Sequence, residues 1–356
     1  MVFRKRGGLL PTERWTYNNQ SIDVVNEFNY LGTVFTYTGN YGGHIEHITG
    51  KALKSLNVLF GKCREFDLKP KTLCSLFDAF VLPVLNYSAE IWGYTKSKEV
   101  ERIHLKFCKR LLKVRSNTCT AVVYGELGRY PLYIHRYIQI IKYWLKIINS
   151  DNIILRCVYN QALADTEKGH LNWVSNVKRI LNQYGFSFVF VNAATVNAKL
   201  FLPEFKNRII NCFNQEWVTS LDSPVLVLYK EFKLMCEYEY YLDIIPKSLR
   251  FYFCRLRLSN LTLRVQTGRY SRNRIVREER YCICCNTLDI EDEFHFVCIC
   301  PCYNAIRSKY IKTYFCKRPS VYKFIELLKS KTKNDLVRVS LYVKEALSIR
   351  KAILNV

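Results

Sequence analysis

The residues with the clearest chemistry lie between Tyr281 and Tyr303, in the stretch YCICCNTLDIEDEFHFVCICPCY. It holds six of the fifteen cysteines of the chain and one of its six histidines. Cys282 and Cys285 form a C-x-x-C pair, and His295 and Cys300 an H-x4-C pair followed by Pro301. Four soft or borderline ligands in two close pairs suit tetrahedral zinc, because a tight turn aims both thiolates of a C-x-x-C pair at one point. Cys284, Cys298 and Cys302 lie near enough to leave the ligand register open. The alternatives are packed, reduced cysteines, an iron–sulfur cluster, which ordinarily uses cysteine alone, and a disulfide scaffold. Asp289, Glu291, Asp292 and Glu293 fill the loop between the pairs and keep it solvated.

The second chemical signal is charge. The chain has 356 residues, 54 Lys+Arg against 30 Asp+Glu, and a net charge of +24. Such an excess points to a polyanionic partner. It is also segregated: residues 51–115 carry 14 basic and 6 acidic residues, 247–280 carry 10 and 2, and 303–356 carry 13 and 3. Residues 116–246 carry 13 and 11, close to neutral. Arg102, Lys106, Lys109 and Lys113 recur at helical spacing. Arg250, Arg255, Arg257, Arg264, Arg269, Arg272 and Arg274 are interleaved with Tyr252 and Tyr270. Arginine with aromatics serves phosphate contacts and base stacking, so RNA, DNA or both are the expected partners.

The elements that must position these residues are mostly helical. Leu53, Leu56, Leu59 and Phe60 mark one helix, and Val100, Ile103, Phe107, Leu111 and Val114 the apolar stripe of another over 97–114. Pro83 should split the apolar run 73–92. Further helices are expected over about 131–149, 152–164, 171–184, 205–220, 224–236, 246–258, 303–315, 320–329 and 333–353, with Trp144, Trp173 and Trp217 as core residues. Phe186–Val191 reads as a short strand or a buried loop, and FNYLGTVF at 28–35 as a β-prone run broken by Gly32, too little sheet to stand alone. His44 and His47 read as surface residues of a helix.

The N-terminus lacks an apolar signal core, and no run of about 18 apolar residues suggests a membrane span. Fifteen cysteines with no secretory signal imply a reducing intracellular setting, nucleus and cytoplasm. Gly-rich phosphate loops, G-x-S-x-G and H-E-x-x-H are absent from the sequence.

Several stretches in order resemble the C-terminal part of the reverse transcriptase of non-LTR (LINE-type, jockey-like) retrotransposons. They are FNYLGTVFT at 28–36, VLPVLNYSAEIWG at 81–93, ERIHLKFCKRLLKV at 101–114, VYGELGRYPL at 123–132, YWLKI at 143–147, RLRLSN at 255–260, QTGRY at 266–270 and EDEFHFVCICPCY at 291–303. The resemblance implies a mainly α fold with a small N-terminal β-hairpin region. Residues 1–43 would be a palm edge with a primer-grip-like hairpin at Tyr30, Leu31 and Gly32. Residues 44–115 would be thumb helices, 116–246 a helical extension, 247–303 a basic segment with a zinc knuckle, and 304–356 basic terminal helices.

Polymerases of this family hold two magnesium ions on paired palm aspartates, and two-metal chemistry needs those carboxylates. This sequence has no Asp-Asp pair. The expectation is therefore a fragment without catalytic residues, with structural zinc and no magnesium of its own, starting within a longer ancestral reading frame. It would hold template–primer and element RNA or target DNA. Two other readings stand beside it: a non-functional remnant of a mobile element, and a part of an active enzyme whose palm is encoded upstream.

Overall fold

The computed structural model describes residues 14–269 and 274–354. It is mainly helical, with two small antiparallel hairpins among the described residues. The chain forms two compact units that each gather distant segments: one from residues up to Arg64, Ser75–His104 and Pro131–Cys212, the other from Glu65–Cys74, Leu105–Tyr130 and Phe213 onward.

In the first unit, Glu27–Tyr30 pairs with Thr33–Thr36 across a two-residue turn, Leu31-Gly32, with φ of 49° and 82°. Both turn residues are left-handed, the geometry that matches strand twist in a tight hairpin. The hairpin is seated from outside. The Tyr87 hydroxyl donates to the Leu31 carbonyl at 2.5 Å, and Thr33 Oγ1 donates to Ser88 Oγ at 2.8 Å. The Val34 N–H donates to His44 Nδ1 at 3.3 Å. His44 is thus fully buried on the helix Gly42–Lys62, edge-on to Trp92, and only His47 keeps the expected surface position.

Pro83 divides the apolar run as its missing N–H requires: helices Pro70–Phe80, Leu82–Leu85 and Ala89–Trp92 follow in turn. The helices Leu132–Ile148, Ile153–Glu167 and Trp173–Gln183 come next. Asn172 opens the last of these with a capping box shared with Ser175. Trp144 is fully buried, donates to Tyr159 Oη at 3.1 Å and stacks on Phe190. Trp173, half-buried, donates to the Glu90 carbonyl at 2.8 Å. The β-prone Phe186–Val191 run is neither strand nor loop but a one-turn helix, Ser187–Val191. Among the described residues no strand pairs with it, and the one helical turn buries Val189 and seats Phe190 on Trp144.

The second unit is built around charge pairs as well as apolar burial. Glu126, fully buried on the helix Thr120–Leu127, meets Arg257 of the helix Lys247–Arg257 at 3.2 Å, and Glu239 meets the same guanidinium at 3.1 Å. Lys233 pairs with Glu239 in turn. Tyr229, Phe232 and Tyr241 lie against this network, and the buried Trp217 donates to the Ala121 carbonyl at 2.8 Å. Each such aromatic contributes about 1.5–3 kcal/mol by leaving water. The long helix Lys333–Ile353 packs along Lys247–Arg257 and buries Leu336, Val339, Tyr342, Val343 and Ala346.

Candidate functional site

The ribbon of the knuckle is set by the Tyr281–Ile290 antiparallel bridge, by the Cys282 N–H donating to the Asp289 carbonyl at 2.8 Å, and by a left-handed Leu288. It presents Cys282 and Cys285. The other pair comes from the two ends of one wide π-helical turn, His295–Ile299. The Asp292 carboxylate accepts the His295 N–H at 2.9 Å and fixes the start of that turn. The Cys300 N–H donates back to the His295 carbonyl at 2.8 Å. Such turns place side chains that a regular helix would send elsewhere.

Cys282 Sγ and Cys300 Sγ are 4.0 Å apart, and Cys285 Sγ and His295 Nε2 are 3.4 Å apart. All four ligand atoms lie within 4.8 Å of one another. A tetrahedral zinc with its usual bond lengths sets sulfur and nitrogen ligands about 3.5–3.8 Å apart, so the quartet can hold a metal ion of that kind. The neighbouring Cys300 thiol holds Cys282 well below the ordinary cysteine range and is itself pushed up, which makes one of the two a thiolate, the form that ligates metal. His295 Nδ1 lies 3.6 Å from the Asp289 carboxylate, the nearest acid and beyond hydrogen-bond reach.

Among the described residues this geometry favours one register. Cys298 is buried away from the quartet, and burial pushes its thiol up to about 12. Cys302 donates to the Cys284 carbonyl. Cys284 can group with Cys282 and Glu291. Glu291, however, is held by Arg350 at 2.7 and 2.8 Å and accepts the Arg264 N–H at 2.7 Å, which leaves that group two thiols.

Three arginines that read as surface charge are struts of the knuckle. Arg280 donates to the Val265 and Ile275 carbonyls, and Arg307 to those of Val297 and Cys300 at 2.8 and 2.6 Å. Arg350 clasps Glu291. The Tyr342 hydroxyl adds a bond to the Phe296 carbonyl at 2.6 Å. Sequence reasoning missed all four: Arg350 answers the buried Glu291, and the other three meet backbone carbonyls.

The cations divide by environment. Arg102, Lys106 and Lys113 are exposed along or just beyond the helix Lys98–Leu112, while the half-buried Lys109 donates to the Ser116 carbonyl at 2.5 Å. In the second unit, Arg255 Nε donates to the Lys113 carbonyl at 2.9 Å, and both cations lie 5.3 Å from the centre of the Phe251 ring. Two basic segments of the sequence meet there. Arg250, Arg264 and Arg269 are half-buried, and Arg269 bonds Gln266. Arg274 is exposed; Tyr270 and Arg272 lie outside the described residues.

Arg257 is a correction. Arg257 is 3 % exposed and bound to the Leu328 carbonyl, Glu126 and Glu239, so it supports the core and is no part of an exposed cationic face. At the hairpin, Tyr30 and Leu31 are exposed and Gly32 lies against Tyr87, where a Cβ would come within 3.1 Å of the ring. Among the described residues no helix is long and apolar enough to cross a membrane. Comparison with protein-family models, curated proteins and solved structures finds no match to this chain.

Proposed function

We propose that the chain is a nucleic-acid-binding module without catalytic residues of its own, corresponding to the C-terminal part of a non-LTR retrotransposon reverse transcriptase. It holds template–primer, and element RNA or target DNA, on a cationic face, and Cys282, Cys285, His295 and Cys300 hold one structural zinc. The observation that carries this reading is the junction of Lys113 and Arg255 over Phe251. A carbonyl clamp and a shared ring fix two cations side by side, where unpaired surface charges would be spread out. Lys106 extends the row along the helix. Fixed cations that replace condensed counterions give salt-dependent phosphate binding with little sequence preference.

The test is the salt dependence of binding to a labelled duplex. Lys113→Gln and Arg255→Gln should each lower the log–log slope by about 0.9 for duplex DNA, one contact apiece. Lys168→Gln and Lys178→Gln, in the near-neutral middle of the sequence, serve as controls. Equal losses in the controls would mean diffuse binding by net charge, and the proposed face would fall.

A further inference from the structure

A cleft in the second unit lies outside both the metal quartet and the Lys113–Arg255 junction. Its buried members include Tyr241, Phe253 and Arg257, and its exposed ones are Tyr240, Lys329 and Lys331. Its volume is about 270 Å³, at the small end for ligand clefts and right for one planar group with a short polar extension. The inner wall is rigid. The Arg257 guanidinium sits 4.5 Å from the Phe232 ring centre and 5.1 Å from that of Tyr241, and its charge is answered by Glu126 and Glu239. Its Nε is buried without a hydrogen-bond partner, a donor left over in a residue that lines the cleft. At the mouth, Tyr240 is 65 % exposed and shares the cleft rim with two exposed lysines.

These features select a ligand class. Lysines at the mouth disfavour a cation, and a purely apolar ligand would leave them and the Arg257 Nε unused. A planar π system with hydrogen-bond acceptors and a phosphate uses all three. We propose that the cleft receives one unpaired nucleotide of a bound RNA or DNA strand, its base stacked on Tyr240 and its phosphate between Lys329 and Lys331. The inference rests on the nucleic-acid reading above and adds to it a preference for single-stranded segments. An aromatic platform beside backbone cations is the combination that single strands use without sequence selectivity.

The experiment measures the affinity of the full chain for oligoadenylate RNA, the matching single-stranded DNA and a blunt duplex, each end-labelled. Loss of one base stack corresponds to about tenfold in affinity. Tyr240→Ala should weaken one or both single strands by about that factor and leave the duplex unchanged, while Tyr240→Phe, which keeps the ring, should bind as wild type. Loss on RNA alone assigns the cleft to RNA, and loss on DNA alone to DNA. Lys329→Gln with Lys331→Gln should lower the single-strand salt slope by about 0.7, the loss of one phosphate contact. Wild-type single-strand affinity in Tyr240→Ala, with Lys113→Gln still weakened, would overturn the cleft and leave the cationic face standing. The reverse pattern would keep the cleft and overturn the face.

Discussion

Arg350 and Glu291 form a two-pronged pair, with Nε to Oε1 at 2.7 Å and a terminal nitrogen to Oε2 at 2.8 Å, both side chains buried. Glu291 sits between the two ligand pairs and Arg350 in the last turn of the terminal helix. Removing one partner leaves the other charge buried and alone, which costs about 3–5 kcal/mol. Arg350→Ala should therefore lower the melting temperature and speed metal loss to a chelator. Arg350→Lys keeps the charge, loses the fork, and should fall between. Wild-type metal retention in Arg350→Ala would show that the helix does not brace the knuckle.

The metal prediction is one zinc per chain. Freshly purified, reduced protein should carry about one equivalent, because structural sites of this kind contribute folding energy and fill readily. Cys285→Ala and His295→Ala should abolish it. Cys298→Ala and Cys302→Ala should keep the full equivalent, since neither thiol faces the quartet. Elemental analysis of the five proteins decides the matter, and loss in Cys298→Ala would move the register.

Acid should destabilise the first unit in two steps. Burial holds His44 below its ordinary value of about 6.5, and the neutral ring is the form that accepts the Val34 N–H. The unfolded chain then binds more protons, so this contribution is complete above about pH 6.5 and is lost as pH falls below it. The second step is Glu101. Burial pushes its carboxyl up, but His104, Arg136 and the Tyr133 N–H outweigh burial and hold it below the usual carboxylate range. That contribution is present above the unfolded value of about 4.3 and lost as pH falls through the folded one. Burial holds His135 of the same unit low as well, so in melts across this range His44→Gln should leave the second step and lessen the first. An unchanged profile would show that His44 does not set it.

Gly128 closes the helix Thr120–Leu127 with φ of 58°, and a Cβ there would lie 2.5 Å from the Tyr238 backbone nitrogen. Backbone cannot yield as a flexible side chain can. Gly128→Ala should cost about 2 kcal/mol or more, from left-handed strain plus overpacking. Denaturant melts would measure it, and a change under about 0.5 kcal/mol, the range of ordinary surface substitutions, would refute the close approach.

Much of this was legible in the residues. The quartet was readable because ligand spacing is a local property: Cys282 and Cys285, then His295 and Cys300, need only a ribbon and a turn to converge. The split at Pro83 and the helices 132–148 and 333–353 were readable for the same reason. What was hidden depends on distant partners. His44 is buried because the hairpin at Val34 lies on it. Arg257 was counted with the surface arginines because Glu126, the buried carboxylate that answers it, stands 131 residues away in the sequence. Arg280, Arg307 and Arg350 misled in the same way: composition counts charge and is blind to whether a carbonyl or a carboxylate already holds it.

The Glu126–Arg257 pair spans 131 residues, and this has a consequence for synthesis. At the usual pace of translation the ribosome needs about 7–26 s to make that length. Through that interval Glu126, on a helix destined for complete burial, has neither its cation nor its aromatic enclosure. The helix must wait in water, with its apolar neighbours Val122 and Val123 exposed. The nascent chain therefore has a long window in which a holding chaperone would find a target, and it closes only after Arg257 has left the ribosome.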